Sequence, residues 1–491
     1  MNASTWISGK LSSLLGRKAE TETPPAAGTV PRKAVPRSVQ DRLDASFRSG
    51  NEAMSPRLLR RTLEALQGVI DPKISEVEGG RLAAEIAGIY ARADRNRRHD
   101  MWLLMSEKFG QDKVRIEEER KRYEAKVGTP DELVAEVRLR RATVSPRRRL
   151  LQRFANFPEG LSFLIDLRAE MQASLKSDRR LAALDIELEY LFATWFDVGF
   201  LDLQRITWDS PASLVERLIK YEAVHDIRSW ADVKNRLDSD RRCYGFFHPR
   251  MPGIPLIFVE VALLEEIPAS IEPLLDEGGA QADLQKASVA VFYSISNTQT
   301  GLRGVAFGDS LIKRVVGELR SDFPRLKTFV TLSPIPGYRN WLIRHLASSI
   351  ETLETRWLRS FDSAFPSKPA EKDAVNQHRA ESFLRASDLP ARDLENTQGE
   401  VLREMHLRLA ARYLQHFADD AAPFDPVARF HLGNGARIER LNWMADPSPK
   451  GMKQSYGLMV NYLYDLKRLD RNRALLAKRK AAASAEVEKL G

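Results

Sequence analysis

ASVAVFYSISNTQTGLRGVAFGDSLIKRVVGEL, residues 287–319, is the stretch from which the fold is read. Ala287–Ser296 is β-branched and aromatic with turn residues on both sides, the pattern of a buried strand. Leu311, Ile312, Val315, Val316 and Leu319 fall on one face of a helix, with Asp309 or Ser310 as its N-cap. The loop between them carries Gly301, Gly304 and Gly308. A strand that runs through a glycine loop into a helix exposes backbone N–H groups beside the positive end of the helix dipole. Such a loop is a ready anion site, and Arg303 adds charge. Glycines that merely serve a turn are the plainer alternative. The spacing is neither G-x-G-x-x-G nor G-x-x-x-x-G-K-[ST], which disfavours a dinucleotide fold and a P-loop nucleotidase.

Working outward, Leu256–Leu263 and Thr328–Leu332 read as further strands, and Ile438–Trp443 alternates like a half-buried one. The order strand, strand, loop, helix, strand predicts a mixed α/β domain over 206–491. Residues 348–420 return to charged helical sequence, an expected insertion, and 466–490 read as one solvated, basic helix. Upstream, 41–205 is helical throughout. Leu58, Leu59, Leu63 and Leu66 recur at three- and four-residue spacing, Val114–Val127 has the charge of an exposed helix, and no strand-like alternation appears. Two more helices are expected around Ser213–His225 and Trp230–Arg236. Residues 1–40 are expected to form a disordered tail, because 20–40 is rich in Pro, Ala, Thr and charge and has little apolar surface to bury.

The 491 residues suit two or three domains. The net charge of +9 favours an anionic partner without choosing one. Cys243 is the only cysteine, so an intrachain disulfide and cysteine-based zinc sites are excluded. No His pair has metalloprotease spacing and no carboxylate cluster has calcium-loop spacing, so no metal is expected. The longest apolar run, Ile254–Leu264, is about half the roughly 20 residues of a membrane helix and contains Glu260. No membrane partner and no secretory signal are expected, and the setting is read as cytoplasmic. The basic runs Arg147–Arg149 and Lys478–Lys480 lack aromatic interleaving and read as solvated helix faces, so no nucleic-acid partner is expected.

Two further segments can carry chemistry. Ser333, in Thr331-Leu-Ser-Pro-Ile-Pro-Gly-Tyr338, follows a strand on a loop stiffened by two prolines, where a hydroxyl can face a ligand. It is not a hydrolase elbow, and a structural turn serine is the plainer reading. His431 stands beside Gly433, Asn434 and Gly435, in what reads as an accessible loop before a strand. A structural histidine is the alternative there, and His225 and His248 read as caps or core partners.

Taken together, GLRGVAFGDSLIKRVVGELRSDFP (301–324), TLSPIPGYRNWL (331–342) and FHLGNGARIERLNWMAD (430–446) resemble the malonyl-CoA decarboxylase family. YEAVHDIRSW (221–230), RRCYGFFHPRMPGIPLIFVEVAL (241–263), VFYSISNTQTGL (291–302) and GLMVNYLYDL (457–466) add to the likeness, which spans roughly 190–466. The resemblance implies a helical N-terminal assembly domain followed by a GNAT acyltransferase-like α/β domain. It implies conversion of malonyl-CoA to acetyl-CoA and carbon dioxide with no cofactor beyond the substrate thioester, in a homo-oligomer, dimer or tetramer. It places the catalytic serine on Ser333 and the catalytic histidine on His431. Substrate binding falls on Gln299, Gly301, Arg303, Gly304, Val305, Ala306, Phe307, Gly308 and Asp309, with Asn434 and Tyr464. Relatives can carry a glutamate where this chain has Ala306, so Asp309 or Glu260 is expected to take over any orienting role. A GNAT-type acyltransferase and a non-catalytic CoA-binding or adaptor protein are the rival expectations.

Overall fold

The computed structural model describes residues 37–491 except 51, 306–307, 352, 367–374, 390–395 and 419–422. Two compact units divide the chain, one ending at Arg60 and the other running from Arg61 to Gly491. In the first, helix α1 (Val39–Asp44) begins inside the segment expected to be a tail. The reason is a local capping box: Ser38 Oγ accepts the Asp41 N–H, and the Asp41 carboxylate accepts the Ser38 N–H. The rest of that expectation, residues 1–36, lies outside the described residues.

Helices α2 (Pro56–Val69), α3 (Glu76–Arg92), α4 (Arg95–Glu107), α5 (Lys113–Glu124), α6 (Glu132–Thr143), α7 (Pro146–Ala155), α8 (Gly160–Gln172) and α9 (Ala182–Trp195) follow, as the periodicity predicts. Then β1 (Asp202–Ile206) starts before the expected end of helical sequence. After α10 (Ala212–Tyr221) and α11 (Trp230–Arg236) come β2 (Arg241–Phe247), β3 (Pro255–Leu264), the single turn α12 (Glu272–Leu275) and β4 (Val289–Asn297). Helix α13 (Gly308–Asp322) leads to β5 (Thr328–Thr331) and the short β6 (Ser333–Pro334). It begins at Gly308, so Asp309 and Ser310 lie within its first turn rather than at its cap.

Helix α14 (Tyr338–Glu351) runs into the expected insertion, whose described residues form α15 (Thr355–Ala364), α16 (Val375–Ser387) and α17 (Asn396–Leu414). The chain closes with α18 (Pro426–Gly433), β7 (Arg437–Asn442), α19 (Pro449–Ser455), β8 (Met459–Leu463), α20 (Leu469–Leu476) and α21 (Ala485–Glu488). The single C-terminal helix expected over 466–490 is therefore two short ones. The chain between them docks beside β7, where Ile438 N–H bonds the Ala482 carbonyl at 2.9 Å and Ser484 N–H the Ile438 carbonyl at 2.8 Å.

Strands β1 to β4 pair antiparallel in sequence order, and β5 pairs parallel to β4 over Val289–Phe292 and Thr328–Thr331. A parallel neighbour needs a crossover, which α13 supplies. Its stripe Leu311, Ile312, Val315, Val316 and Leu319 is buried, at about 2 kcal/mol per side chain. Strand β8 closes the far side, pairing with β5, β6 and β7. One core cluster joins Ala262, Val289, Val291, Tyr293, Val330, Leu332 and Met459, and a second joins Ile206, Leu214, Leu218, Cys243, Phe247 and Phe258. Beyond Phe292 the ladder between β4 and β5 stops, apart from Leu332 N–H on the Phe292 carbonyl at 3.0 Å. The site opens where these strands part.

Candidate active site

Between the diverging ends of β4 and β5 lies a cavity of about 230 Å3. Val224, Phe292, Tyr293, Ile295, Pro334, Pro426, Val427 and Phe430 give it apolar walls, and Asn297, Ser333 and His431 are its polar lining. Ser333 and His431 are 98 residues apart in sequence, yet Ser333 Oγ lies 3.1 Å from His431 Nε2. On the other side of the ring, Nδ1 is 2.7 Å from the Tyr464 hydroxyl. The two residues are only 6% and 3% exposed.

Each arm has a local cause. Ser333 starts β6, which pairs with β8 at Val460, and its hydroxyl donates to Thr331 Oγ1 at 2.9 Å. Thr331 is itself pinned by β8: its Oγ1 accepts the Tyr462 N–H at 3.2 Å, and its carbonyl accepts Asn461 Nδ2 at 2.8 Å. Tyr462 and Tyr464 are two apart along β8 and its extension, so they share a face. Tyr462 stacks on the imidazole at 4.5 Å, and Tyr464 bonds it.

His431 sits in the last turn of α18, not in a loop as its Gly/Asn neighbours suggest. The helix forms because Asp425 caps it, accepting the N–H groups of Val427 and Ala428 at 2.9 Å each, with Pro426 in its first turn. The buried Asp425 carboxylate also accepts the Tyr413 hydroxyl at 3.0 Å and the Gly337 N–H. One carboxylate thus ties the histidine helix to the turn that follows Ser333.

Burial in this apolar setting pushes the His431 imidazole down to about 3 and the Tyr464 phenol well above its ordinary value. Both are neutral at pH 7. Ser333 gives its proton to Thr331 and so meets Nε2 as an acceptor. The hydrogen-bond directions therefore put the imidazole proton on Nε2 and the Tyr464 O–H on Nδ1.

The residue that orients the histidine is Tyr464, not Glu260. Glu260 is fully buried in β3 and committed to Arg236 at 2.9 Å, while Arg236 also holds Asp232 at 2.7 Å. The Asp309 side chain and the whole of Ala306 and Phe307 lie outside the described residues.

The glycine loop leaves the same strand whose last residue, Asn297, lines the cavity. Gln299 precedes a single 3₁₀ turn, Thr300–Leu302, and its amide donates to Thr298 Oγ1 at 2.9 Å. Gly304 has φ +90°, a conformation that glycine adopts freely, and Val305 is buried while Arg303 is exposed. Asn434 caps the end of α18 and does not line the cavity; its buried Nδ2 has no hydrogen-bond partner among the described residues. Among the described residues, no group of three or more His, Cys, Asp or Glu side chains is placed to hold a metal ion. No helix there is long and apolar enough to cross a membrane. His225 and His248 are buried, as expected of core partners.

Sequence reasoning missed Arg168, whose guanidinium lies 2.9 Å from the carbonyls of both Gly301 and Arg303. It also missed Thr331 and Asp425 as supports of the pair. Only the Asp-Pro before a helical run, a standard cap signal, could have pointed to Asp425.

Four antiparallel strands, a glycine loop, a helix and a splayed parallel strand form a GNAT-like domain behind a helical region. A serine and a histidine meet at its splay. The malonyl-CoA decarboxylase C-terminal domain profile matches residues 199–490, and the N-terminal domain profile of the same family matches 109–196. The mitochondrial malonyl-CoA decarboxylase of Anser anser anser is 35% identical over 405 residues, 79% of this chain and 78% of that protein. The crystal structure of malonyl-CoA decarboxylase from Rhodopseudomonas palustris shares 39% identity and a TM-score of 0.75, covering 88% of this chain and 99% of that one. That from Cupriavidus metallidurans shares 40% identity and a TM-score of 0.70, covering 89% and 100%. The chain belongs to the malonyl-CoA decarboxylase family.

Proposed function

We propose that this chain converts malonyl-CoA to acetyl-CoA and carbon dioxide, with Ser333 and His431 in direct contact with the malonyl group. The observation that carries the reading is the Ser333–His431–Tyr464 chain opening on an apolar cavity at the strand splay. The glycine loop that continues from β4 takes the CoA pyrophosphate. In the cavity the malonyl carboxylate loses its hydration, which favours the neutral product. The bond between the carboxylate carbon and the α-carbon breaks, its electron pair passes into the thioester as an enolate, and carbon dioxide leaves. Ser333 turns its hydroxyl proton from Thr331 to the departing carboxylate. His431 delivers its Nε2 proton to the α-carbon while Tyr464 lends its own to Nδ1; a proton from water then reloads Nε2 and Nδ1 returns its proton to Tyr464, restoring the starting tautomer. No covalent acyl-enzyme is needed, because the bond broken is C–C.

A dimer or tetramer, a cytoplasmic setting and a reaction with no added cofactor belong to the same proposal. So does the division into a helical assembly part, 41–205, and a catalytic part, 206–491, with 348–420 inserted. The test is mass spectrometry of malonyl-CoA incubated with the purified protein without metal or ATP. The expected product is acetyl-CoA with one equivalent of carbon dioxide. Intact malonyl-CoA, or acyl transfer to an added amine, would overturn the reading.

A further inference from the structure

Arg168 lies on α8, 1% exposed, and every strong partner it has is fixed by the fold. Nη1 donates to the carbonyls of Gly301 and Arg303, both at 2.9 Å. Nε holds Asp185 at 2.7 Å and Nη2 holds Glu189 at 2.9 Å, both from α9. The loop fits closely against the same two helices. A Cβ on Gly301 would lie 2.0 Å from the Ile165 carbonyl, and one on Gly304 would lie 3.2 Å from the Glu189 carboxylate.

We propose that Arg168 is a positioning residue for the nucleotide-diphosphate end of the substrate thioester, acting through the loop rather than by touching the phosphates. Two carboxylates already neutralise its charge, so it has little left to offer an anion directly. What it fixes is peptide orientation. In a trans peptide the C=O and the following N–H point opposite ways, so drawing the Arg303 carbonyl onto Arg168 turns the Gly304 N–H away from the helices. A loop preorganised this way presents donors to an anion without first having to order itself. The inference rests on the reading of this loop as the pyrophosphate site.

The experiment compares wild type, Arg168→Met and Arg168→Lys on two substrates, malonyl-CoA and malonyl-pantetheine, which lacks the nucleotide diphosphate. If the unbraced loop holds its competent shape about a tenth of the time, KM for malonyl-CoA rises about tenfold in Arg168→Met. The expected pattern is kcat near wild type, partial recovery with lysine, and equal turnover of malonyl-pantetheine by all three. Equal loss on both substrates, or no loss on malonyl-CoA, would overturn it. Should Arg168→Met melt or lose its circular dichroism, Asp185→Asn and Glu189→Gln carry the same comparison. Calorimetric titration with CoA alone reads the brace independently of turnover, so a wild type that fails to decarboxylate would sink the reaction and leave this inference decided by the CoA affinities.

Discussion

His431 is not the only buried histidine in this fold with a serine on Nε2 and a tyrosine on Nδ1. His406 has Ser387 Oγ at 2.9 Å and the Tyr338 hydroxyl at 3.1 Å, and burial lowers its pKa to about 3 as well. Residue type, hydrogen bonding and pKa therefore do not separate the two. What does is surroundings: His406 is fully buried and enclosed by the rings of Phe383, Trp443 and Tyr456, whereas His431 opens on the cavity. A pH profile follows from the depressed value. With its pKa near 3, the His431 imidazole stays neutral, Nε2–H in place, through the whole range in which an ordinary histidine titrates. The kcat for malonyl-CoA should thus be flat from pH 8 down to pH 5. An inflection near 6.5 in the steady-state profile would place a solvated histidine in the step and contradict this geometry. The motif around His431 was legible in the sequence, but its helix was not. Gly433 and Gly435 outweighed the Asp425 cap that starts the helix six residues earlier.

Among the elements, those whose burial is carried by apolar side chains were read correctly: β3, β4, β5 and α13 lie within a few residues of their expected limits. Two of the strands that escaped, β2 and β8, bury polar groups satisfied by distant partners. In β2, Arg241 reaches the Leu274 carbonyl at 3.3 Å, and in β8, Asn461 takes up Thr331 and Asn442. Arg168 looks like any helix-face arginine until residues more than 130 positions away fold back on it. The glycines of the strand–loop–helix unit make the contrast measurable. Gly301→Ala must push a Cβ into the Ile165 carbonyl, so the loop shifts, the melting temperature falls and KM for malonyl-CoA rises. Gly317, an exposed position of α13 where an added Cβ would meet nothing within 4 Å, should tolerate alanine and gain about 0.5–1 kcal/mol from helix propensity. Chemical denaturation of the two variants checks both signs; a stabilising Gly301→Ala would mean the loop is not seated on α8 as described.

At the scale of the molecule, four buried histidines bear on the response to acid: His248, which burial also lowers, and three whose values fall far below the ordinary one. His225 is lowered to about 4, and His406 and His431 to about 3, chiefly by desolvation. The unfolded chain protonates its histidines near 6.5, so between that value and about 4 it binds more protons than the folded chain, and stability falls as pH falls. Each histidine contributes up to about 1.4 kcal/mol per pH unit in that window. Glu260, which burial pushes up to about 8, takes a proton in the folded state and offsets one of the three. The melting temperature should decline steeply from pH 6.5 to pH 4.5, and a flat curve would mean these side chains are solvated. The fold brings α8 and α9 to the glycine loop, β8 to both tyrosines and α18 to the histidine, so that the chemistry gathers at one strand splay. The most direct test of that claim is kcat for malonyl-CoA decarboxylation by Ser333→Ala and His431→Ala beside Ser387→Ala, the same hydroxyl deletion at the enclosed histidine. Loss of the positioned acid should lower kcat about 10²–10⁴-fold in His431→Ala, Ser333→Ala should fall with it, and Ser387→Ala should keep wild-type turnover. Wild-type kcat in Ser333→Ala and His431→Ala would contradict the account.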